Sequence, residues 1–245
     1  MKVAGIIPAR YASTRLPGKP LILIHGKPMI QKVYEQAKKS RLITRVIVAT
    51  DDKRIFDCVK EFGGEVMMTS EKHQSGTDRL SEVAKKINCD IVVNIQGDEP
   101  FIDPKNIDLA IEPVLKDKKL DISTLAIKIK NSDELTDINK VKVVIDRNNY
   151  ALYFSRNLIP FDMAQKSSKE FKMGNNKFYK HIGLYVYRKN YLLKIPKMKT
   201  GYLESMEKLE QLRILENGDK IKVMLTKKDS ESVDTSEDLK KINRQ

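Results

Sequence analysis

Through the first half of the chain, short apolar runs alternate with amphipathic stripes, and that beat restricts the fold to strand, helix, strand units around a largely parallel sheet. Val3 to Ile7 reads as a buried strand. Behind Lys27-Pro28, where proline suits a first helical turn, Ile30, Val33, Tyr34 and Ala37 recur at helical spacing. Arg45 to Thr50 predicts the next strand, and Asp51-Asp52 can cap a helix carrying Ile55, Val59 and Phe62, which Gly63-Gly64 stops. Glu65 to Met68 follows as a strand and Asp78 to Ile87 as a helix. Asp90 to Ile95 is the most apolar strand, expected at the centre of the sheet, and Asp103-Pro104 opens a further helix.

The second half changes character. Val141 to Ile145 and Tyr150 to Phe154 flank Asn148-Asn149 as the strands of a β-hairpin would, and His181 to Tyr187 reads as a strand with apolar alternation. Leu203 to Glu216 predicts the longest late helix, Ile221 to Thr226 a strand, and Thr235-Ser236-Glu237-Asp238 a capping-box start to the final helix. The polar, weakly patterned stretch Asp162 to Lys177 reads as a mobile loop. With 245 residues the chain is long for one α/β domain without dividing clearly into two, so 1–245 is read as a single domain with a subregion inserted over about 141–200.

No apolar run approaches the length of a membrane span, and the apolar N-terminal stretch is cut short by Pro8 and Arg10, which argues for a cytoplasmic protein with no membrane partner. Cys58 and Cys89 sit in apolar contexts without CxxC spacing and read as free buried thiols. The net charge of +13 raises a nucleic-acid reading, but the lysines are scattered and no basic tract with interleaved aromatics appears. A solvated lysine-rich surface that steers small anions inward accounts for the charge without nucleic acid.

The polar loop after the first strand carries the strongest chemical signal. Arg10, Arg15 and Lys19 follow Pro8-Ala9 in a loop of about a dozen residues or more, and such loops in compact domains are usually functional. Three cations can surround a triphosphate while Gly18, Ala12 and Ser13 let backbone N–H groups approach it; a merely basic surface loop is the alternative. Ligands of open α/β sheets gather beyond the carboxyl ends of the strands, which brings in two more segments. His73-Gln74-Ser75-Gly76-Thr77-Asp78-Arg79 can hold a base or ribose at a helix N-terminus, or simply cap the helix. Gln96-Gly97-Asp98-Glu99-Pro100 leaves the most apolar strand, and a strand-end carboxylate beside a triphosphate loop suits Mg2+. Asp98 and Glu99 compete for that role, and Pro100 beside Glu99 favours Asp98. The order of glycine, lysine and hydroxyl residue is not that of a Walker A loop, GxGxxG is absent, and no Ser-His-Asp or Cys-His nucleophile is visible.

The run Ile6-Ile7-Pro8-Ala9-Arg10-Tyr11-Ala12-Ser13-Thr14-Arg15-Leu16-Pro17-Gly18-Lys19-Pro20 closely resembles the opening of the CMP-Kdo synthetases, the 3-deoxy-manno-octulosonate cytidylyltransferases, and similarity covers nearly the whole chain. Sialic acid cytidylyltransferases share Ile-Pro-Ala-Arg but usually continue with Gly-Gly-Ser-Lys. The resemblance implies an α/β, Rossmann-like nucleotidyltransferase with a mostly parallel mixed sheet and a β-rich dimerisation insertion. It implies transfer of CMP from CTP to the sugar acid Kdo for lipopolysaccharide synthesis, with Mg2+, in a homodimer. Nucleotide binding is carried over onto Pro8, Ala9, Arg10, Arg15, Lys19, Ser75, Gly76, Arg79 and Gln96, with Asp78 standing where the family usually has Glu. Metal binding falls on Asp98 and, through Ser232-Val233-Asp234-Thr235, on Asp234; Arg10 and Lys19 join these two as catalytic residues. Sugar-acid binding falls on Gln96, on Arg156 through Tyr-Phe-Ser-Arg, on His181 and Tyr185 through His-Ile-Gly-Leu-Tyr, and on Glu210 and Gln211 through Leu-Glu-Gln-Leu-Arg.

His181 and Tyr185 lie four apart on a strand and so share a face. Glu210 and Gln211 flank an apolar stripe of Met206, Leu209 and Leu212. Tyr153-Phe154-Ser155-Arg156 and Ile159-Pro160-Phe161 are expected to expose large side chains where the family forms its dimer contact, although a plain core strand can coexist with that reading. A related acid such as 8-amino-Kdo would keep the metal and triphosphate residues and change only the sugar pocket.

Overall fold

The computed structural model describes residues 1–12, 16–73, 75–163, 177–230, 232–233 and 235–242. The chain runs β1 (Val3–Ala9), a 3-10 turn (Lys19–Leu21), β2 (Leu23–Ile24), β3 (Lys27–Pro28), α1 (Met29–Lys38), β4 (Arg45–Thr50), α2 (Lys53–Glu61), β5 (Val66–Met68), α3 (Gly76–Lys86), β6 (Ile91–Asn94) and α4 (Pro104–Lys116). It continues through β7 (Ile122–Lys128), α5 (Asp133–Thr136), β8 (Lys142–Ile145), β9 (Ala151–Ser155), β10 (Tyr179–Arg188), α6 (Lys189–Leu192), α7 (Tyr202–Glu207), α8 (Gln211–Glu216), β11 (Lys222–Thr226) and α9 (Ser236–Ile242). The expected caps form: Asp52 accepts from the Arg54 N–H, Asp103 from that of Lys105, and Thr235 and Asp238 exchange capping-box bonds. The stretch expected to be a loop over 162–177 lies, for residues 164–176, outside the described residues.

The main sheet has the order β11-β7-β10-β6-β1-β4-β5. β1 pairs in parallel with β4 on one side and β6 on the other, and β4 pairs in parallel with β5. Chain order therefore reverses between β1 and β6, the kind of switch point at which α/β sheets open a crevice beyond their strand ends. β10 runs antiparallel between β6 and β7, and β11 adds in parallel at the β7 edge, so the sheet is mixed as expected. The β8/β9 hairpin branches off β10.

Helices cover both faces. Ile30 and Val33 of α1, Ile55 and Val59 of α2 and Ile107 and Ile111 of α4 pack with Ile91 and Val93. Leu80 and Val83 of α3 and Leu212 of α8 pack with Ile6, Val92, Tyr185 and Tyr187 on the other side. Burial from both faces explains why β6 reads as a continuous apolar run. Ile91, Val92 and Val93 are fully buried, each contributing roughly 1.5–3 kcal/mol of transfer free energy. Cys58 and Cys89 are free, and burial pushes both thiols up.

Two elements differ from the sequence reading. β7 was not expected, because Ser123 and Thr124 interrupt its apolar pattern. Both are fully buried, and their hydroxyls bond to the Ala110 carbonyl at 2.5 Å and the Leu184 carbonyl at 2.8 Å. The single helix expected over Leu203 to Glu216 is instead two short helices, α7 and α8, with Lys208 left-handed at φ 55° between them. The end of β9 sustains that break. Ser155 Oγ and the Arg156 N–H donate to the Glu207 carboxylate at 2.6 and 3.0 Å, and Arg156 Nε donates to the Glu207 carbonyl at 2.8 Å. The break also dissolves the expected stripe, leaving Met206 exposed while Leu209 and Leu212 are buried.

Candidate active site

The crevice at the β1/β6 switch point is made possible by Gly97. A side chain there would place its first carbon 2.9 Å from the Pro8 carbonyl oxygen, so only glycine lets the exit of β6 lie against the end of β1. A side-chain carbon added at Gly76, at the start of α3, would lie 3.8 Å from the Pro8 ring, so the three expected segments come together here. Arg10 extends from β1 and donates to the carbonyls of His73 and Ser75, the latter at 3.4 Å. Its described contacts thus tie the lead-in of α3 to the strand end. Ser75 and Asp78 cap α3 reciprocally at 3.2 Å, the capping alternative of the sequence reading. Gly18, left-handed at φ 67°, packs against Tyr11, whose ring lies 3.3 Å from the Arg54 guanidinium carbon. Arg15 lies outside the described residues.

Arg79 corrects an expectation. Its side chain is fully buried, paired with Asp51 and bonded to Thr69 Oγ1, so it joins the ends of β4 and β5 and presents nothing to the crevice. The cause is position: it lies on the inward face of α3 beside Leu80.

Asp98 stands just past β6 with its side chain 31 % exposed, and Lys19 donates to it at 2.8 Å. Its carbonyl accepts from the Val233 N–H at 2.9 Å, which brings the segment before α9 against the β6 exit. Asp234 itself lies outside the described residues. Asp98 opens on a charged cavity of about 510 Å³ whose walls include Glu99, Asp137, Lys180, Ser230 and Glu237. Glu99, the rival metal ligand, is buried and accepts from Ser230 Oγ. Lys180 is 6 % exposed at its side chain and donates to Glu134 and Asp229 at 2.6 Å each. Burial opposes its charge, but the two carboxylates outweigh that and raise its pKa.

A second cavity, about 380 Å³, lies over the β6/β10 face and meets the first at Gln96, Gly183 and His181. Asn94 at the end of β6, Gln96 just beyond it, and His181, Tyr185 and Tyr187 of β10 form its floor, and Lys208 to Gln211 its opposite wall. The β10 register jumps between Ile182 and Tyr185, where two extra residues, Gly183 and Leu184, are inserted. An insertion of two preserves the alternation, so His181 and Tyr185 still share a face, their rings 5.3 Å apart. Gln96 Nε2 donates to the Gly183 carbonyl at 3.0 Å.

The Thr124 hydroxyl lies 2.9 Å from His181 Nε2 and 2.8 Å from the Leu184 carbonyl oxygen, so it links the ring to the backbone of β10. Burial pushes the imidazole pKa down to about 3, which keeps the ring neutral. Burial likewise pushes the Tyr185 and Tyr187 phenols up. Glu210 accepts from Thr77 Oγ1 at 2.7 Å, tying the far wall to α3, and Gln211 is buried beside it.

Arg156 lines neither cavity. Its guanidinium is engaged by the Glu207 and Ile138 carbonyls, which makes it a support of the Lys208 turn. The sequence reading missed Asn94 and Lys180; the lone polar residue closing Ile91-Val92-Val93 was the available signal for the first. The expected exposure of Tyr153 to Phe161 holds for Phe161 at 68 %, whereas Phe154 is fully buried against His181.

The chain matches the Cytidylyltransferase family over residues 4–221. It is 52% identical over 244 residues to the 3-deoxy-manno-octulosonate cytidylyltransferase of Trichlorobacter lovleyi, covering 98% of this chain and 97% of that one. The enzyme of the same name from Fusobacterium nucleatum is 48% identical over 243 residues, covering 99% and 96%. A solved CMP:2-keto-3-deoxy-manno-octonic acid synthetase complexed with CTP superposes with a TM-score of 0.92 at 40% identity, over 100% of this chain and 98% of that one. The 4-diphosphocytidyl-2C-methyl-D-erythritol synthase of Anaerococcus prevotii, 15% identical with a TM-score of 0.64 over 99% and 97%, shares the fold alone. A crevice at the β1/β6 switch point and relatives matched end to end at about half identity place this chain in the cytidylyltransferase family, among the 3-deoxy-manno-octulosonate cytidylyltransferases.

Proposed function

We propose that this enzyme joins CMP from CTP to 3-deoxy-D-manno-octulosonate in the paired cavities, releasing diphosphate and CMP-Kdo for lipopolysaccharide synthesis. The observation that carries the residue assignment is the shared wall. A carboxylate-rich cavity suited to a metal ion that accompanies the triphosphate, with Lys19 held at its edge by Asp98, and a hydrogen-bonding cavity suited to a sugar acid, with Lys208 and Glu210 on its wall, meet at Gln96, Gly183 and His181. The sugar's anomeric oxygen forms a bond to the α-phosphorus, the bond from that phosphorus to the diphosphate oxygen breaks, and the hydroxyl proton leaves to solvent. Such transfers depend on positioning and charge neutralisation, and no covalent enzyme intermediate is needed.

Among the described residues no group of three or more His, Cys, Asp or Glu side chains is arranged to hold a metal ion. Mg2+ takes one or two carboxylates and completes its shell with water and substrate phosphates. The partly exposed Asp98 carboxylate is a donor of that kind, and Asp98 and Asp234 are the residues that would hold the ion. Bound there, Mg2+ would supply charge to the phosphate oxygens and acidify the attacking hydroxyl. Lys19, freed from Asp98, neutralises the leaving diphosphate, while Arg10 keeps the nucleotide-facing start of α3 in place.

Among the described residues no helix is long and apolar enough to cross a membrane. The enzyme acts in the cytoplasm, without membrane or nucleic-acid partners, as a homodimer. The pairing is supported by Leu152, Phe161 and Met163, each more than 60 % exposed on and beyond β9, a strand whose ladder among the described residues is made with β8. Incubation with CTP, Mg2+ and Kdo is expected to release diphosphate, and absence of release would refute the proposed reaction. Light scattering is expected to give a dimer mass that Phe161→Glu reduces to that of a monomer.

A further inference from the structure

Glu210 stands on the cavity wall opposite β10, and the residue is exposed. An exposed glutamate ordinarily samples several rotamers. This carboxylate is held: its Oε2 accepts from Thr77 Oγ1 at 2.7 Å, across 133 residues of chain. Thr77 is the second residue of α3 and only 7 % exposed. A threonine hydroxyl on a helix ordinarily returns its proton to a carbonyl of the preceding turn, whereas this one is spent on the far wall.

The wall does not need that bond to stay in place. Leu209, Leu212 and Ile214 are buried in the core beneath it, and Glu207 is bonded to Ser155 and Arg156 at its other end. What Thr77 fixes is therefore the carboxylate itself. The described residues make no hydrogen bond to its second oxygen, Oε1. Burial, and after it the charge of Glu210 among others, raises the pKa of the Tyr185 and Tyr187 phenols, the effect of a carboxylate close to the aromatic floor.

We propose that Thr77 is a positioning residue of the sugar-acid pocket, its hydroxyl holding the Glu210 carboxylate in the orientation in which that group accepts a hydrogen bond from a hydroxyl of the substrate. The inference rests on the proposed function above. An ionised carboxylate has only acceptors, so the group it recognises is a hydroxyl of the acid and not the acid's own carboxylate. Orientation matters because a hydrogen bond weakens steeply as its angle closes, and a carboxylate already fixed loses less freedom when substrate arrives. Ser75 and Gly76 precede Thr77 at the start of α3, so the Thr77 hydroxyl also sets the sugar-acid wall against the nucleotide-facing end of the site.

The test is Thr77→Val, which keeps the shape and removes the hydroxyl, with KM for Kdo and for CTP measured separately and Glu210→Ala and the double variant alongside. In Thr77→Val the KM for Kdo is expected to rise about tenfold, with the KM for CTP within about twofold of wild type and Thr77→Ser restoring the wild-type KM for Kdo. In the Glu210→Ala background the valine should add less than about twofold, because the group it acts through is already gone. The ligand-free thermal midpoint of Thr77→Val is expected to stay within about two degrees of wild type, since the exposed carboxylate regains water. An unchanged KM for Kdo in Thr77→Val, a full tenfold rise on top of Glu210→Ala, or KM values for both substrates rising together would overturn the proposal. If the valine variant does not fold, Thr77→Ala takes its place under the same readings. Wild type that releases no diphosphate from CTP and Kdo would refute the proposed function, whereas normal wild-type turnover with an unaltered Thr77→Val refutes the role of Thr77 alone.

Discussion

The two cavities share a wall but are built of opposite materials. Around Asp98, cations and anions pair at the surface of a polar space: Lys19 with Asp98 at 2.8 Å, Lys180 with Glu134 and Asp229 at 2.6 Å. Around His181 the floor is uncharged, aromatic and largely buried, with the one histidine held uncharged, and the charged groups Lys208 and Glu210 stand on the opposite wall. The contrast follows from what each ligand brings. A triphosphate with a metal supplies its own charges, so the protein needs partners that are partly wet and exchangeable. The hydroxyl-bearing part of the sugar acid supplies only dipoles, and fixed uncharged groups recognise those without the cost of stranding a buried charge.

The largest expected effect tests the charged side. Asp98→Asn preserves size and removes the carboxylate, and turnover is expected to fall about a hundredfold or more while circular dichroism is unchanged. Near-normal turnover at saturating Mg2+ would remove Asp98 from the reaction. Next, Lys19→Ala is expected to weaken CTP by about ten- to a hundredfold and CMP much less, because CMP lacks the phosphates assigned to Lys19. Arg10→Ala should weaken both, since the bonds of Arg10 to the His73 and Ser75 carbonyls hold the base of α3. Equal losses for Lys19→Ala in the two titrations would shift that residue toward the α-phosphate.

Lys180→Met strands two carboxylates. A fully buried pair broken in this way costs roughly 3–5 kcal/mol; with Asp229 38 % exposed, about 2 kcal/mol is expected in urea melts. The smallest effect separates the neutral side. The His181 pKa is about 3 when folded and 6.5 as the ordinary value, so its stabilisation is complete above 6.5 and is lost as pH falls toward 3. The expected slope is at most about 1.4 kcal/mol per pH unit, and His181→Gln should flatten it in denaturation series at mildly acid pH. A KM for Kdo that titrates near 6.5 would instead show His181 to be charged or open to water.

Much of the fold could be read in advance because it is written in local pattern. Asp52, Gly63 and Asp103-Pro104 mark helix ends through bonds to residues two to four away, and β6 announces its central place by being apolar on both faces. β7 escaped because its buried Ser123 and Thr124 are satisfied only by carbonyls of α4 and β10, distant in sequence. The α7/α8 break was invisible for the same reason, since the groups that hold it come from the end of β9. In the site, motif resemblance named Lys19, Asp98, His181 and Glu210, but it placed Arg79 in the crevice, where its inward helical face forbids it to be, and Arg156 in the pocket, where carbonyls already occupy it.

Sequence alone determined the strand and helix order, the basic loop after β1 and the family, because periodicity, capping and contiguous motifs depend on neighbours in the chain. Only the tertiary structure decided which polar residues are occupied and which stand ready for a ligand. Arg79 and Arg156 look like binding residues until Asp51, Thr69 and Glu207 are seen to engage them. Hydrogen-bond satisfaction is a property of three-dimensional neighbours, and those are set by the register of β6 against β10 and the packing of α3 and α8 over them.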